Sequence, residues 1–202
     1  MFSFYFAAMN IVFATNNLHK IKEIENQLDK RVTLKSLRDI HFLQELPETS
    51  ETIIGNAIQK AKFLFDETGL DCFADDSGLE IEAINNRPGV ESAHFAGPQR
   101  SHSDNIEKVL AEMQGYENRR ARFVTVFALC LKGDIHIFEG IINGKITKSI
   151  CGSDGFGYDP IFCPDGFKMT FAEMSFDLKT NISHRAIALK KLNSWLDANI
   201  LR

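Results

Sequence analysis

The sequence predicts a mixed α/β fold, a single β-sheet with helices on both faces, built as one continuous domain. Three observations predict it. Helical apolar periodicities are separated by short β-prone runs along the chain. Residues 123–131 are almost wholly apolar, as in a strand covered on both faces. That run turns at Gly133-Asp134 into more β-prone sequence, which reads as an antiparallel meander. No internal repeat, low-complexity tract or Pro/Ser-rich linker divides the chain.

The elements follow in order. Residues 1–8 (MFSFYFAA) are apolar but lack the basic n-region of a signal peptide. They read either as an extension of the first strand or as an upstream extension before a natural start at Met9. The second reading is preferred, which puts the domain at residues 9–202. Ile11-Val12-Phe13-Ala14 is a buried first strand running into Thr15-Asn16-Asn17, all good N-cap types. Leu18, Ile21, Ile24 and Leu28 then recur at helical spacing. A second helix is expected from Thr49-Ser50, with Ile53, Ile54, Ala57, Ile58, Ala61, Leu64 and Phe65 on one face, and an end at Gly69. Cys72-Phe73-Ala74 reads as a short strand, Asp75-Asp76-Ser77-Gly78 as a turn, and Leu79, Ile81 and Ala83 as the inward side of a half-solvated strand.

A third helix is expected at residues 103–113, with Ile106, Val109, Leu110 and Met113 inward. After the strands at 123–131 and 135–142, residues 145–150 read as a third strand of the meander. A glycine-rich loop follows at 152–160. Thr170 and Glu173 are spaced as a capping box. The last helix is expected at 183–196, with Ala186, Leu189, Leu192, Trp195 and Leu196 toward the core.

Composition narrows the function. Apolar residues are 44% and charged residues 25% of 202, which suits a packed domain and excludes disorder or a disulfide scaffold. Net charge is −4, a poor balance for sequence-independent binding of a nucleic acid polymer. No apolar run reaches the roughly 18 residues of a membrane span. Cys72, Cys130, Cys151 and Cys163 lack zinc spacing and read as reduced thiols, which fits a cytoplasmic protein.

Four segments carry chemistry. Thr15-x-Asn17-x-x-Lys20 lies where strand meets helix, so it reads either as an anion site at a helix N-terminus or as a plain N-cap with a surface lysine. The adjacent carboxylates Asp75 and Asp76 read either as a metal or catalytic pair or as an Asx-turn. Phe156 and Tyr158, in the loop Gly155-Phe156-Gly157-Tyr158-Asp159-Pro160, are available either to stack on a base or to anchor the loop to the core. Lys179, His184 and Arg185 gather cations at the start of the last helix, where the dipole disfavours them unless an anion or polar ligand compensates. The glycines fit neither a Walker A nor a dinucleotide fingerprint. Together these features describe a nucleotide cleft.

The motifs Thr15-x-Asn17-x-x-Lys20, Glu48…Asn56-Ala57…Lys60-Ala61, Ala74-Asp75-Asp76-Ser77-Gly78-Leu79, Pro88-Gly89-Val90-x-Ser92-Ala93, Phe156-Gly157-Tyr158-Asp159-Pro160 and Ser183-His184-Arg185 stand in this order. The set resembles the inosine triphosphate pyrophosphatase family, whose bacterial members are called dITP/XTP pyrophosphatases. The resemblance spans residues 10 to about 196 and departs at residues 1–8 and at Gly55, where the family more usually has Glu. It implies an elongated three-layer α/β fold with two lobes and a central substrate groove. It implies Mg²⁺-dependent hydrolysis of ITP, dITP and XTP to the monophosphate and pyrophosphate, by a cytoplasmic homodimer. By the same resemblance, Thr15, Asn16, Asn17, Leu18, His19, Lys20, Lys60 and Ser77 hold the triphosphate. Glu48, Asp75 and Asp76 hold Mg²⁺, and Asp76 is the catalytic base. Phe156 and Tyr158 flank the base, with Gly157 between them, while Asp159, Lys179, His184 and Arg185 read its edge. The alternatives are a septum-formation-inhibitor-like pyrophosphatase acting on modified pyrimidine nucleotides, and a non-catalytic nucleotide-binding module.

Overall fold

The computed structural model describes residues 9–201, so the reading of residues 1–8 lies outside the described residues. The strands are β1 (Met9–Phe13), β2 (Val32–Ser36), β3 (Cys72–Ile81), β4 (Arg87–Pro88), β5 (Arg120–Leu131), β6 (Asp134–Ile146) and β7 (Phe162–Pro164). The α-helices are α1 (Leu18–Glu25), α2 (Ile53–Thr68), α3 (His102–Glu112), α4 (Phe176–Ile182) and α5 (His184–Asn199). The sheet runs β2-β1-β3-β5-β6-β7, with β4 also on β3. β1 is parallel to β2 and β3, and the remaining pairs are antiparallel. The predicted mixed α/β class is correct.

Alternation along β5 explains the apolar run. Phe127, Leu129 and Leu131 face a cluster with Ala188, Leu189 and Leu192 of α5. Val124, Val126, Ala128 and Cys130 face Ala57, Ala61 and Leu64 of α2. A third cluster gathers Leu79, Ile106, Val109, Phe123, Phe162 and Phe171 at the other end of the strands. The chain thus packs helices on both sides of one sheet and closes a second lobe beyond it.

Several expected boundaries move, for identifiable reasons. Asp75-Asp76-Ser77-Gly78 is not a turn. It lies inside the ten-residue strand β3, whose residues from Cys72 to Ile81 pair with β5 throughout. The Asx-turn reading is therefore overturned, as is a separate strand reaching Ala83, because Glu82–Ile84 forms a 3₁₀ turn. Helix α2 starts at Thr52, whose side chain accepts the Gly55 N–H. Thr49 and Ser50 instead donate their backbone N–H groups to Gln59 Oε1 and Asn56 Oδ1, lying alongside the helix as a strap. A Cβ at Gly55 would strike the Ser50 side chain, so the strap as placed suits a glycine at this position. Gly69 ends the helix at φ 68°, as predicted.

In α1, Leu18 is 60% exposed, and Glu23 and Ile24 are the buried positions. The expected strand at 145–150 is absent. β6 ends at Ile146, where Arg119 takes the Ile146 and Thr147 carbonyls, and the next strand begins only at Phe162. The Thr170–Glu173 capping box is present but caps a single 3₁₀ turn. In α5, Ala188 is buried while Ala186 and Trp195 are half-buried.

Candidate active site

The site grows out of a fork in the sheet. β1 pairs with β3 only at Val12–Cys72 and Phe13–Phe73, and then leaves toward α1. β4 joins the same edge of β3 only at Glu80 and Ile81. Between the two, the edge of β3 from Asp76 to Leu79 opens onto a groove of about 840 Å³. The β1–α1 turn, the strap at 45–51, α2, the segment 90–105, the glycine-rich loop and the start of α5 line it. This volume is in the range of small-ligand sites.

The strand pleat separates the two aspartates. Asp75 shares the β3 face of Phe73 and Ser77 and is 1% exposed; Lys20 Nζ lies 2.8 Å from its Oδ2 and Arg185 Nη2 3.7 Å away. Burial alone would raise its pKa, but Lys20, Arg185 and Lys60 outweigh burial and hold it at about 2. Ser77 donates to Asp75 and lies 2.5 Å from the Thr125 hydroxyl. Asp76 points to the α2 side, where Asn56 Nδ2 donates to it at 3.2 Å and Lys60 Nζ stands 3.6 Å away. Burial pushes the Asp76 carboxyl above its ordinary range, against the pull of Lys60 and Lys20. Lys60 is also bound to Glu48 at 2.6 Å. Burial disfavours its charge, yet Asp76, Asp75 and Glu48 together raise its pKa and keep it a cation.

The expected triad of carboxylates is therefore not brought together. Glu48 and Asp76 converge on Lys60, whereas Asp75 is the counter-ion of Lys20 and Arg185. Among the described residues, no group of three or more His, Cys, Asp or Glu side chains is placed to hold a metal ion.

At the β1–α1 turn, the Asn17 side chain accepts the His19 and Lys20 N–H groups, and Thr15 Oγ1 accepts the Asn17 N–H. The N-cap reading is therefore correct, and Thr15, Asn16, Asn17 and Lys20 all line the groove. Leu18 projects to solvent. The His19 ring stacks on Phe156 at 5.2 Å.

Where α4 and α5 meet the glycine-rich loop, the groove is backed by a buried ionic network. Glu23 holds Lys179 Nζ at 2.9 Å and also Arg185 Nη1, and Lys179 reaches Asp159 at 2.6 Å. Asp159 accepts the Phe156 N–H as well, so it shapes the loop from within. Phe156 lies beneath Lys179 Nζ at 4.6 Å, a cation–π distance. Tyr158 is an anchor: it is buried in the second lobe and its hydroxyl donates to the Ser92 carbonyl. Gly157 donates its N–H to His102 Nδ1 at 3.3 Å. His184 stacks on Phe123 at 4.7 Å, and burial, reinforced by Arg185, Lys179 and Lys20, drives its pKa well down, leaving a neutral imidazole. Two buried nitrogens here, His184 Nδ1 and Arg185 Nε, have no hydrogen-bond partner among the described residues.

Sequence reasoning missed Glu23, Arg100 and His102. A glutamate at a helical position that a core residue would take was the available signal for Glu23. Arg100 and His102 gave none, because the fold alone brings their segment across the groove.

The sequence pattern of the Ham1 family matches residues 11–195. The chain belongs to the Ham1 family. A dITP/XTP pyrophosphatase from Flavobacterium johnsoniae is 48% identical over 94% of this chain and 99% of that protein. One from Flavobacterium psychrophilum is 48% identical over 91% and 97%. A solved Ham1 protein structure from Coxiella burnetii superposes with a TM-score of 0.88 at 35% identity, covering 94% of this chain and 99% of that one. Ham1 membership agrees with the resemblance read from the motifs, and the mixed α/β architecture is that of Ham1 proteins.

Proposed function

We propose that this chain hydrolyses deaminated purine nucleoside triphosphates (ITP, dITP and XTP) to the monophosphate and pyrophosphate. The observation that carries the substrate class is the pair of unpartnered nitrogens at His184 and Arg185. Arg185 Nε–H is a donor with no acceptor capacity, so only an acceptor can satisfy it. The 6-oxo group of hypoxanthine or xanthine is such an acceptor, and the 6-amino group of adenine is not. Leaving a buried donor unpaired costs about 1–3 kcal/mol.

Asp76 is the one aspartate of the pair whose carboxyl both opens onto the groove and is raised in pKa. It takes the proton from a water whose oxygen adds to the α-phosphorus, the bond to the bridging oxygen breaks, and pyrophosphate leaves. Asn56 holds the carboxylate in position, and Lys60 stands beside it as a fixed cation for the charge that builds on the departing group. Lys20 and the β1–α1 turn hold the phosphates.

The residues present suit Mg²⁺. Glu48 and Asp76 are hard oxygen donors already converging on one cationic point, the Lys60 ammonium. Mg²⁺ is commonly bound by one or two carboxylates plus substrate phosphates, so three protein ligands are not needed. Glu48 and Asp76 would hold the ion, while Asp75 supports it from behind by fixing Lys20. When bound, the ion supplies charge neutralisation at the phosphates and lowers the pKa of a bound water.

The test is product analysis of ITP turnover across a Mg²⁺ titration. IMP and pyrophosphate in equal amounts, dependent on Mg²⁺, are expected; release of inorganic phosphate instead would contradict the reading. A homodimer and a cytoplasmic location complete the proposal. They rest on the family resemblance and on four free thiols, and light scattering checks the first.

A further inference from the structure

The positive side chains of the groove are not equally available. Lys20 is held by Asp75, Lys60 by Glu48 and Asp76, and both Lys179 and Arg185 by Glu23. Arg100 lines the same groove in a different state. Its side chain is 63% exposed, and its Nη2 approaches a carboxylate only at 3.7 Å, at Glu48 Oε2. The walls also bring Glu45, Glu48, Glu51, Asp76, Glu91 and Asp159. A polyanion entering among these acids needs a cation that is not already neutralised, and Arg100 is that cation.

The backbone around Arg100 is specific. Its φ is 53°, in the left-handed region that side-chain-bearing residues rarely adopt. The turn that imposes this is held by the Arg100 N–H on the Gly97 carbonyl at 3.3 Å, and by Ser101 capping α3. Two residues on, His102 meets the glycine-rich loop at Gly157 and so marks the base end of this wall. The Arg100 guanidinium reaches the other way, to Glu48, whose carboxylate binds Lys60 beside Asp76. A planar guanidinium fork matches phosphate oxygens in a bidentate manner.

We infer that Arg100 binds the β- and γ-phosphates of the substrate, and therefore the pyrophosphate product, from the wall opposite the β1–α1 turn. This rests on the proposed reading of the groove as a nucleoside triphosphate site. The contact divides the work of binding: Arg185 and His184 hold the base, and Arg100 holds the leaving half.

The experiment compares wild type, Arg100→Gly and Arg100→Lys for inhibition of ITP turnover by pyrophosphate and, separately, by IMP. Glycine suits φ 53°, so Arg100→Gly keeps or raises the thermal midpoint while removing the guanidinium. Pyrophosphate inhibition weakens at least tenfold in Arg100→Gly and partly recovers in Arg100→Lys, while IMP inhibition stays within twofold of wild type. Unchanged pyrophosphate inhibition overturns the inference, as does equal weakening for IMP or a lowered thermal midpoint, which would mark a structural role. Wild type that turns over ITP while the variants match it removes Arg100 alone; wild type with no ITP turnover removes the groove reading and this inference together.

Discussion

Asp75 and Asp76 are adjacent yet meet different partners because a strand sends consecutive side chains to opposite faces. Replacing Asp76 by Asn keeps its shape and its place beside Asn56 but removes the basic lone pair. kcat on ITP should fall by about 10²–10⁴, the usual worth of a positioned general base, with ITP binding retained; steady-state kinetics and calorimetric binding check both parts. Asp75→Asn should act on stability. It strips the buried counter-ion from Lys20 and Arg185, a loss on the order of 3 kcal/mol in urea unfolding. The pH dependence has a defined sign. Asp75 titrates at about 2 when folded, against an ordinary 3.8, so its stabilisation is complete above about pH 4 and is lost as pH falls toward 2. Thermal midpoints of wild type should drop through that window, and Asp75→Asn should drop less; parallel curves would remove Asp75 from the account. The resemblance already gave the two aspartates different roles, with Asp76 as the base; what the sequence could not place was their strand, because the Asx-turn signal of Asp-Ser-Gly outweighed the β-pairing that only β5 supplies.

At the scale of elements, the strongest local signals were reliable and the weakest were not. α2 carries a full apolar stripe and a C-terminal glycine, and β5 an unbroken apolar run, so both were legible. β2 and α4 were not anticipated: VTLKS is a short edge strand with little alternation, and FDLKTNI is seven residues held by its Ser175 cap and by Lys179. Placement of α5 matters most for function, since it carries His184 and Arg185 at its first turn. It packs directly on Gly140 of β6, where a Cβ would run into the His184 carbonyl and the Ala188 amide. Gly140→Ala should therefore lift the helix start, destabilise by about 1–3 kcal/mol as overpacked sites do, and raise KM for ITP. Thermal unfolding and ITP kinetics read the two effects, and a wild-type midpoint would show that the close approach has no consequence.

Across the whole molecule, the chain carries a net charge of −4 yet gathers Lys20, Lys60, Arg100, Lys179 and Arg185 around one groove. The motifs located most of these residues, and the resemblance supplied their order of use. What the sequence concealed was three-dimensional: Glu23 as the hub of Lys179 and Arg185, Tyr158 as an anchor on Ser92, and the segment at 90–105 as the opposite wall. Each depends on contacts between positions 55 or more residues apart, such as Gly157 with His102 or Arg185 with Glu23, which no local pattern encodes. The central claim is that this groove selects deaminated purines through the buried Arg185 Nε–H, a donor that the 6-amino group of adenine cannot satisfy. Its most direct test is kcat/KM for ITP and XTP against ATP under saturating Mg²⁺. The account predicts a preference of at least about 10²-fold for the 6-oxo substrates, approaching about 10⁴ where the buried Arg185 donor is left unpaired. Comparable values for ITP and ATP would contradict it.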